Sequence, residues 1–373
     1  MTTRTPRLAI LGVTLAALVA ACGSDSKGQQ TTPVMSSTEP TEPTEPAGEP
    51  PADPQPAEPV KPAEPPAPTY LHGKLVWYEL VSSDPARSKA FHAELLGWTI
   101  EGQETAGMKY ELAKAGGKDV ATIRQSDDKK TKSHWVPFVS VPDVDAAVAT
   151  VEQNKGKVVK AAMDVPDIGR YALVSDPNGS RFAVFKSVKS DDPDTDQAKQ
   201  GEFVWAENLT RNKKAQASAL AFYPAAVGYS ASSMDVGEGK KKSKYDMLSM
   251  TSGDKPKHRA GVVPAKPASL GGHWLPWVSV DDVDGTVGKV KALKGKVVTK
   301  PHDIPGVGRA AVVTDPTGAP LGLLKSLSPE EQKAAMEKAA AEKTGAQPAP
   351  APREPDKKKQ EGKKAPEAAP PPP

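Results

Sequence analysis

The chain has 373 residues, with 49 Lys and Arg against 46 Asp and Glu, a formal charge of +3, and 39 prolines. A charge so near balance excludes a strongly basic nucleic-acid binder, and the single cysteine, Cys22, excludes disulfide frameworks and cysteine-rich zinc sites. Thirteen prolines crowd into the 39 positions from Thr31 to Thr69, so the folded part is shorter than the chain.

Residues 1–21 have the form of a secretory signal. Arg4 and Arg7 precede Leu8 to Ala21, an uncharged apolar run of 14 residues, short of the roughly 20 that a spanning helix needs. The sequence Leu18-Val19-Ala20-Ala21-Cys22 resembles the lipobox of bacterial lipoproteins. That resemblance implies cleavage before Cys22, a lipid on its sulfur and anchoring in the bacterial cell envelope. Gly23 at the next position points, by the same analogy, to the outer membrane, with the protein facing the periplasm or the exterior. Residues 22–69 then read as a tether. Thr-Glu-Pro occurs three times in succession from Thr38, and seven acids from Gln29 onward face one lysine, Lys61. Proline fixes φ and like charges repel, so the segment is extended, at about 3.1 Å per residue, and spans on the order of 100 Å.

Leu75 to Val81 alternates as a strand. Ser83-Asp84-Pro85 opens a helix that runs through Leu96 and stops at Gly97. Thr99 to Gln125 holds three short strand-like runs broken by glycines. His134 to Val141 is a further strand, and Asp143 to Asn154 a helix with Val144, Val148 and Val151 on one stripe. Lys157–Val159, Tyr171–Val174 and Arg181–Phe185 are three more strands, the last two joined by the Asp176-Pro177-Asn178-Gly179 turn. The order is βαβββ, twice.

The pattern then repeats. Residues 134–187 align with 273–326 at a constant offset of 139, with 27 identities in 54 positions. Leu75-Val76-Trp77-Tyr78-Glu79 pairs with Phe203-Val204-Trp205-Ala206-Glu207 at offset 128, so the second copy carries 11 extra residues, expected around Gly237 to Lys244. Beyond Ser326, residues 327–373 read as a Pro/Ala/Lys/Glu tail with a helix-prone start from Pro329 to about Lys343 and disorder after it.

The words within the repeat are Trp77-Tyr78-Glu79-Leu80, Asp84-Pro85, Leu96-Gly97-Trp98, Val139-Ser140-Val141, Asp143-Val144-Asp145, Asp164 to Arg170 and Asp176-Pro177-x-Gly179. Together they resemble the vicinal oxygen chelate superfamily of glyoxalases, extradiol dioxygenases and bleomycin-resistance proteins. The resemblance implies an α+β fold with two tandem domains, at 70–188 and 201–326. Each consists of two βαβββ modules curled into an eight-stranded cup around a small-molecule site.

It also implies one divalent metal per cup, held from the first and last strands of each module. On this sequence those places fall on Trp77, Ala121-Thr122-Ile123, Val136 and Ala183, and on Trp205, Ala260-Gly261-Val262, Leu275 and Gly322. Apolar side chains do not ligate metal, so no metal and no cofactor is expected, and the chain leans toward reversible small-molecule binding without catalysis. Trp77, Phe138, Trp205 and Trp277 are candidate stacking residues, and Arg170 and Arg309 candidate anion clamps that could equally pair with Asp164 and Asp303. Two other readings stay open. Glu79 with His134, and Glu207 with His273, would serve a displaced metal or acid–base site in a lyase or dioxygenase. Alternatively the domains are structural and an envelope partner is bound through the tails. No nucleic-acid site is legible.

The lipid assignment is checked by Cys22→Ala: the substituted chain should move from the detergent-rich to the aqueous phase on Triton X-114 partition of cell extracts.

Overall fold

The computed structural model describes residues 68–344, apart from 106, 129–130, 196, 237–242 and 253–254. The signal, Cys22, the tether up to residue 67 and the tail beyond residue 344 lie outside the described residues. Four βαβββ modules follow one another. The first is β1 (Leu75–Ser82), α1 (Pro85–Leu96), β2 (Thr99–Thr105), β3 (Met108–Ala115) and β4 (Lys118–Gln125). The second is β5 (His134–Ser140), α2 (Val144–Gln153), β6 (Lys157–Val165), β7 (Gly169–Ser175) and β8 (Arg181–Ser187). The third is β9 (Phe203–Thr210), α3 (Lys213–Val227), β10 (Ser230–Val236), β11 (Ser243–Ser252) and β12 (Lys255–Pro264). The fourth is β13 (His273–Ser279), α4 (Val283–Val290), β14 (Lys296–Ile304), β15 (Gly308–Thr314) and β16 (Pro320–Ser326), after which α5 spans Pro329–Thr344.

Local chemistry sets the helix limits. Asp84, Asp143, Asn212 and Asp282 each accept a backbone N–H from three residues on, occupying a donor that the first turn leaves free. Gly97 and Gly228 end α1 and α3 in the left-handed region, at φ 73° and 88°. β6 and β14 are longer than the sequence suggests. Register shifts carry them past Val159 and Val298 to Val165 and Ile304.

In each domain the two first strands pair antiparallel, β1 with β5 and β9 with β13. Each first strand also pairs in parallel with the last strand of its own module. The result is two eight-stranded cups. They join through β5 and β13, where Trp135 faces Trp274, into a single sixteen-stranded sheet. The 11 extra residues of the second copy are spread out. The offset is 128 at Trp77/Trp205, 131 at Gly97/Gly228, 135 at Leu112/Met247 and 139 at Thr122/Gly261. Only the four between 131 and 135 fall near Gly237 to Lys244; the others lengthen the α3 region and the β11–β12 hairpin.

All four module helices share one core. Phe91 and Leu95 of α1, Val144 and Val151 of α2, Phe222 and Tyr223 of α3, and Val283 and Val290 of α4 belong to one apolar cluster with the convex faces of both cups. α1 packs on α4 and α2 on α3, so each contact crosses between domains. Polar bonds cross with them. Ser88 donates to Asp315 Oδ2 at 2.6 Å, Tyr223 to Asp176 Oδ2 at 3.3 Å, Trp98 Nε1 to Gly201 O at 2.8 Å and Tyr229 to Gly73 O at 2.5 Å. Asp176 and Asp315 are buried in the Asp-Pro-x-Gly turns, where Oδ1 of each also accepts two backbone N–H groups.

Asp315→Ala removes the acceptor of four donors, Ser88 Oγ, Thr317 N, Thr317 Oγ1 and Ala319 N. It should lower stability by roughly 2–4 kcal/mol in urea unfolding. Asp164→Ala, which removes an exposed partner of Arg170, should cost less than about 1 kcal/mol.

Candidate functional site: two unequal cups

Strand alternation decides what faces each cup. In the first cup Glu79 lies opposite Val136 on β5 and Thr122 on β4, and Phe138 lies opposite Trp77 on β1 and Ala183 on β8. In the second, Glu207 lies opposite Leu275 and Gly261, and Trp277 opposite Trp205 and Gly322. The register therefore turns Trp77, Thr122, Val136 and Ala183 inward in one cup, and Trp205, Gly261, Leu275 and Gly322 in the other. Of these eight, the only heteroatom with lone pairs is the Thr122 hydroxyl, and it accepts from Trp77 Nε1 at 3.3 Å. Among the described residues, no group of three or more His, Cys, Asp or Glu is placed to hold a metal ion. The donor set does not fit the divalent metal that the fold implies.

The first cup is less tightly filled than the second. Trp77, Phe138, Tyr171 and Phe185 line its concave face and stay half-buried. Phe138 lies 5.7 Å from Tyr171 and 5.9 Å from Phe185, ring centre to ring centre. Beneath them Val81, Val136, Leu173 and Ala183 form a small apolar floor. A charged pair on this face is Glu79 with Arg124, whose Nε donates to Oε1 at 2.7 Å. Arg124 also reaches Asp127, and these two carboxylates hold its proton more firmly despite burial.

The second cup is filled. Trp277 and Tyr245 are fully buried at its centre, with Trp205 beside them. They occupy the space that two glycines vacate: a Cβ at Gly261 would overlap the Tyr245 hydroxyl, and one at Gly322 the Trp277 ring. Glu207 is sealed among them. Tyr245 donates to its Oε1 at 2.9 Å, Trp277 Nε1 to its Oε2 at 3.1 Å, and Trp205 Nε1 donates to the Tyr245 oxygen at 2.8 Å. Burial raises the Glu207 pKa to about 7, against which the two hydrogen bonds work.

The remaining candidates are not gathered at the cup centres. His134 and Glu79 do not form a pair, since Glu79 is engaged by Arg124. His134 instead lies beside His273 of the other domain, their ring centres 6.1 Å apart. Arg170 and Arg309 are each held by two carboxylates: Arg170 by Asp145 and Asp164, Arg309 by Asp284 and Asp303. They tie the β6–β7 and β14–β15 hairpins to the starts of α2 and α4, so the pairing with Asp164 and Asp303 is present and is extended to Asp145 and Asp284. Sequence reasoning missed Arg124, Tyr171, Phe185 and Tyr245. Arg124 was legible as two residues on from Thr122. Tyr245 was not, because it lies where the offset between copies is 135 and the two alignable blocks do not reach.

The sequence profile of the Glyoxalase/Bleomycin resistance protein/Dioxygenase superfamily matches residues 74–184 and 208–323. The chain is 32% identical over 261 residues to "Putative glyoxylase CFP32" of Mycobacterium tuberculosis, covering 69% of this chain and 96% of that one. It is 29% identical over 265 residues to "Anthracycline biosynthesis protein DnrV" of Streptomyces peucetius, covering 66% and 91%. Among solved structures, a Mn(II)-bound glyoxalase from Novosphingobium aromaticivorans aligns over 69% of this chain and 83% of its own, at 17% identity and a TM-score of 0.48.

Glu207 keeps its proton in the fold to about pH 7, whereas the unfolded chain releases it near 4.5, so its contribution to stability falls as pH rises through that window. Buried His134, its pKa lowered to about 4, acts in the opposite sense and loses stability as pH falls below 6.5. The two oppose one another, and His92, His258 and His273, whose proton affinities burial also lowers, act with His134. Glu207→Gln should unmask the histidine term: its melting temperature should climb from pH 4.5 to 6.5 while the native chain stays flatter. At pH 8 the variant should gain stability on the native chain, by less than the roughly 3 kcal/mol that 1.36 kcal/mol per pKa unit would allow, because its NH2 meets one of the two donors.

Proposed function

The chain belongs to the glyoxalase/bleomycin resistance protein/dioxygenase superfamily, and we propose that it is an envelope-anchored member that binds a small, largely planar molecule in its first cup without metal-dependent catalysis. One observation carries this reading: the first cup keeps four half-exposed aromatic side chains around a Glu–Arg pair, at a place where no metal donor set exists. Aromatic walls hold a planar apolar body by stacking, and the Glu79–Arg124 pair offers both an acceptor and a donor to fix its orientation. The second cup, packed with Trp205, Tyr245 and Trp277, serves as a scaffold. Anchoring through a lipid on Cys22 rests on the leader sequence and would hold the cup in the envelope at the end of the tether. Among the described residues no helix is long and apolar enough to cross a membrane.

A relative named for anthracycline biosynthesis makes an anthracycline the first probe, with simple aromatic acids beside it. The ligand should raise the melting temperature of the native chain and quench tryptophan fluorescence. Trp77→Ala and Phe138→Ala should each weaken binding about tenfold or more, whereas Trp205→Phe should leave it unchanged. Stoichiometric Mn, Zn or Fe in the native protein by elemental analysis, lost with Glu79→Ala, would overturn the reading.

A further inference from the structure

Where β5 and β13 meet, the two domains leave a cleft of ≈360 Å³ on the seam. Lys132, His134 and Arg181 of the first domain line it, facing Arg211, Ser269 and His273 of the second. No Asp or Glu is among its lining residues. From this convergence we infer that the seam binds the oxyanion group, phosphate or carboxylate, of a small soluble molecule.

The cations are uncommitted. Among the described residues, neither the Arg181 guanidinium nor the Lys132 ammonium has a hydrogen-bond or ion-pair partner, in contrast to Arg124, Arg170 and Arg309. Arg211 gives one N–H, from Nη1, to Asn178 O at 2.9 Å and keeps the others. Planar guanidinium groups from two sides match the geometry of a carboxylate or phosphate. His134 is buried, its Nδ1–H donates to Lys132 O at 2.8 Å, and Nε2, left as an acceptor, has no partner among the described residues; it can accept a hydrogen bond from a protonated phosphate oxygen.

The arrangement is built by breaking the repeat. In the first copy Ser83 donates its backbone N–H to Ser133 Oγ at 2.9 Å, closing that corner. At the equivalent places, 128 and 139 residues on, the second copy has Arg211 and Gly272. A Cβ at Gly272 would stand 2.7 Å from Arg211 Nη2, and one at Gly271 would crowd the Arg211 backbone, so the two glycines let the guanidinium lie over the loop. Arg181, in turn, stands at the start of β8 where the second copy has Pro320. Neither cation is therefore required by the fold that the copies share. The field they make is felt locally: after burial itself, Arg181 lowers the proton affinity of both histidines, and Arg211 and Lys132 lower that of His273. An anion would relieve this crowding of positive charge.

The site is independent of the first cup, and its test separates the two. Inorganic phosphate and succinate are titrated separately into the purified full chain by calorimetry at constant ionic strength. At least one should bind saturably with a Kd at or below the millimolar range. Arg181→Ala and Arg211→Ala should each weaken that binding tenfold or more, while Trp77→Ala and Lys118→Ala leave it unchanged. In the unsubstituted protein the same anion should shift the ring resonances of His134 and His273 in long-range ¹H–¹⁵N spectra, a readout that does not depend on how the variants fold. Absence of binding by both anions, or binding that neither arginine substitution weakens and neither histidine senses, overturns the inference.

Discussion

Trp135 and Trp274 lie opposite one another where β5 meets β13, and this one antiparallel contact makes a single sheet of two cups. Because successive side chains point to opposite faces, the two indoles drop into the helix layer while His134 and His273 turn the other way. The shared core, the crossed packing of α1 on α4 and α2 on α3, and the seam with its histidine pair all follow from that register. The indoles are almost wholly buried, at 1% and 2% exposure. His92 and Tyr223, equivalent by position in α1 and α3, each meet one of them edge to face, at 5.6 Å in both cases.

The two cups started from one pattern and solve one problem differently. An eight-stranded cup has a centre that must be occupied by something: a ligand, solvent or side chains. In the second copy Gly261 and Gly322 remove volume from the walls, and Tyr245 and Trp277 restore it at the centre. Their polar atoms then need partners in a dry place, and Glu207 supplies both acceptors. Sealing the carboxyl there is what makes it hold its proton at neutral pH. In the first copy Thr122 and Ala183 keep the walls ordinary, Phe138 in the place of Trp277 stays partly exposed, and Arg124 neutralises Glu79.

Much of the fold was legible because the chain states it four times. Alternation and an Asp or Asn cap mark each module, glycines stop the helices of the first and third, and the repetition reinforces each reading. The absence of metal donors at the strand positions was legible for the same reason, since register follows from alternation once the strands are placed. What was hidden depends on contacts between segments far apart in sequence. Nothing near Ser88 announces Asp315, and nothing near His134 announces His273. Arg170 and Arg309 show an intermediate case. Their hairpin partners Asp164 and Asp303 are six residues away and could be named, but Asp145 and Asp284, 25 residues back on the helices, came only with the fold. Tyr245 was hidden because insertions on both sides of it break the alignment that exposed everything else.

The helix layer makes each domain depend on the other. Each domain, lifted out alone, would present to water the apolar side of two helices and the convex side of its sheet, together with a carboxylate at Asp176 or Asp315 that has lost its donor from the other domain. Such a face has to be covered, and the two halves do this for one another within one chain. Because they are parts of one chain they need not be alike: one cup is plugged by Tyr245 and Trp277 while the other is not, and each side of the seam carries an arginine at a place where the other copy has none.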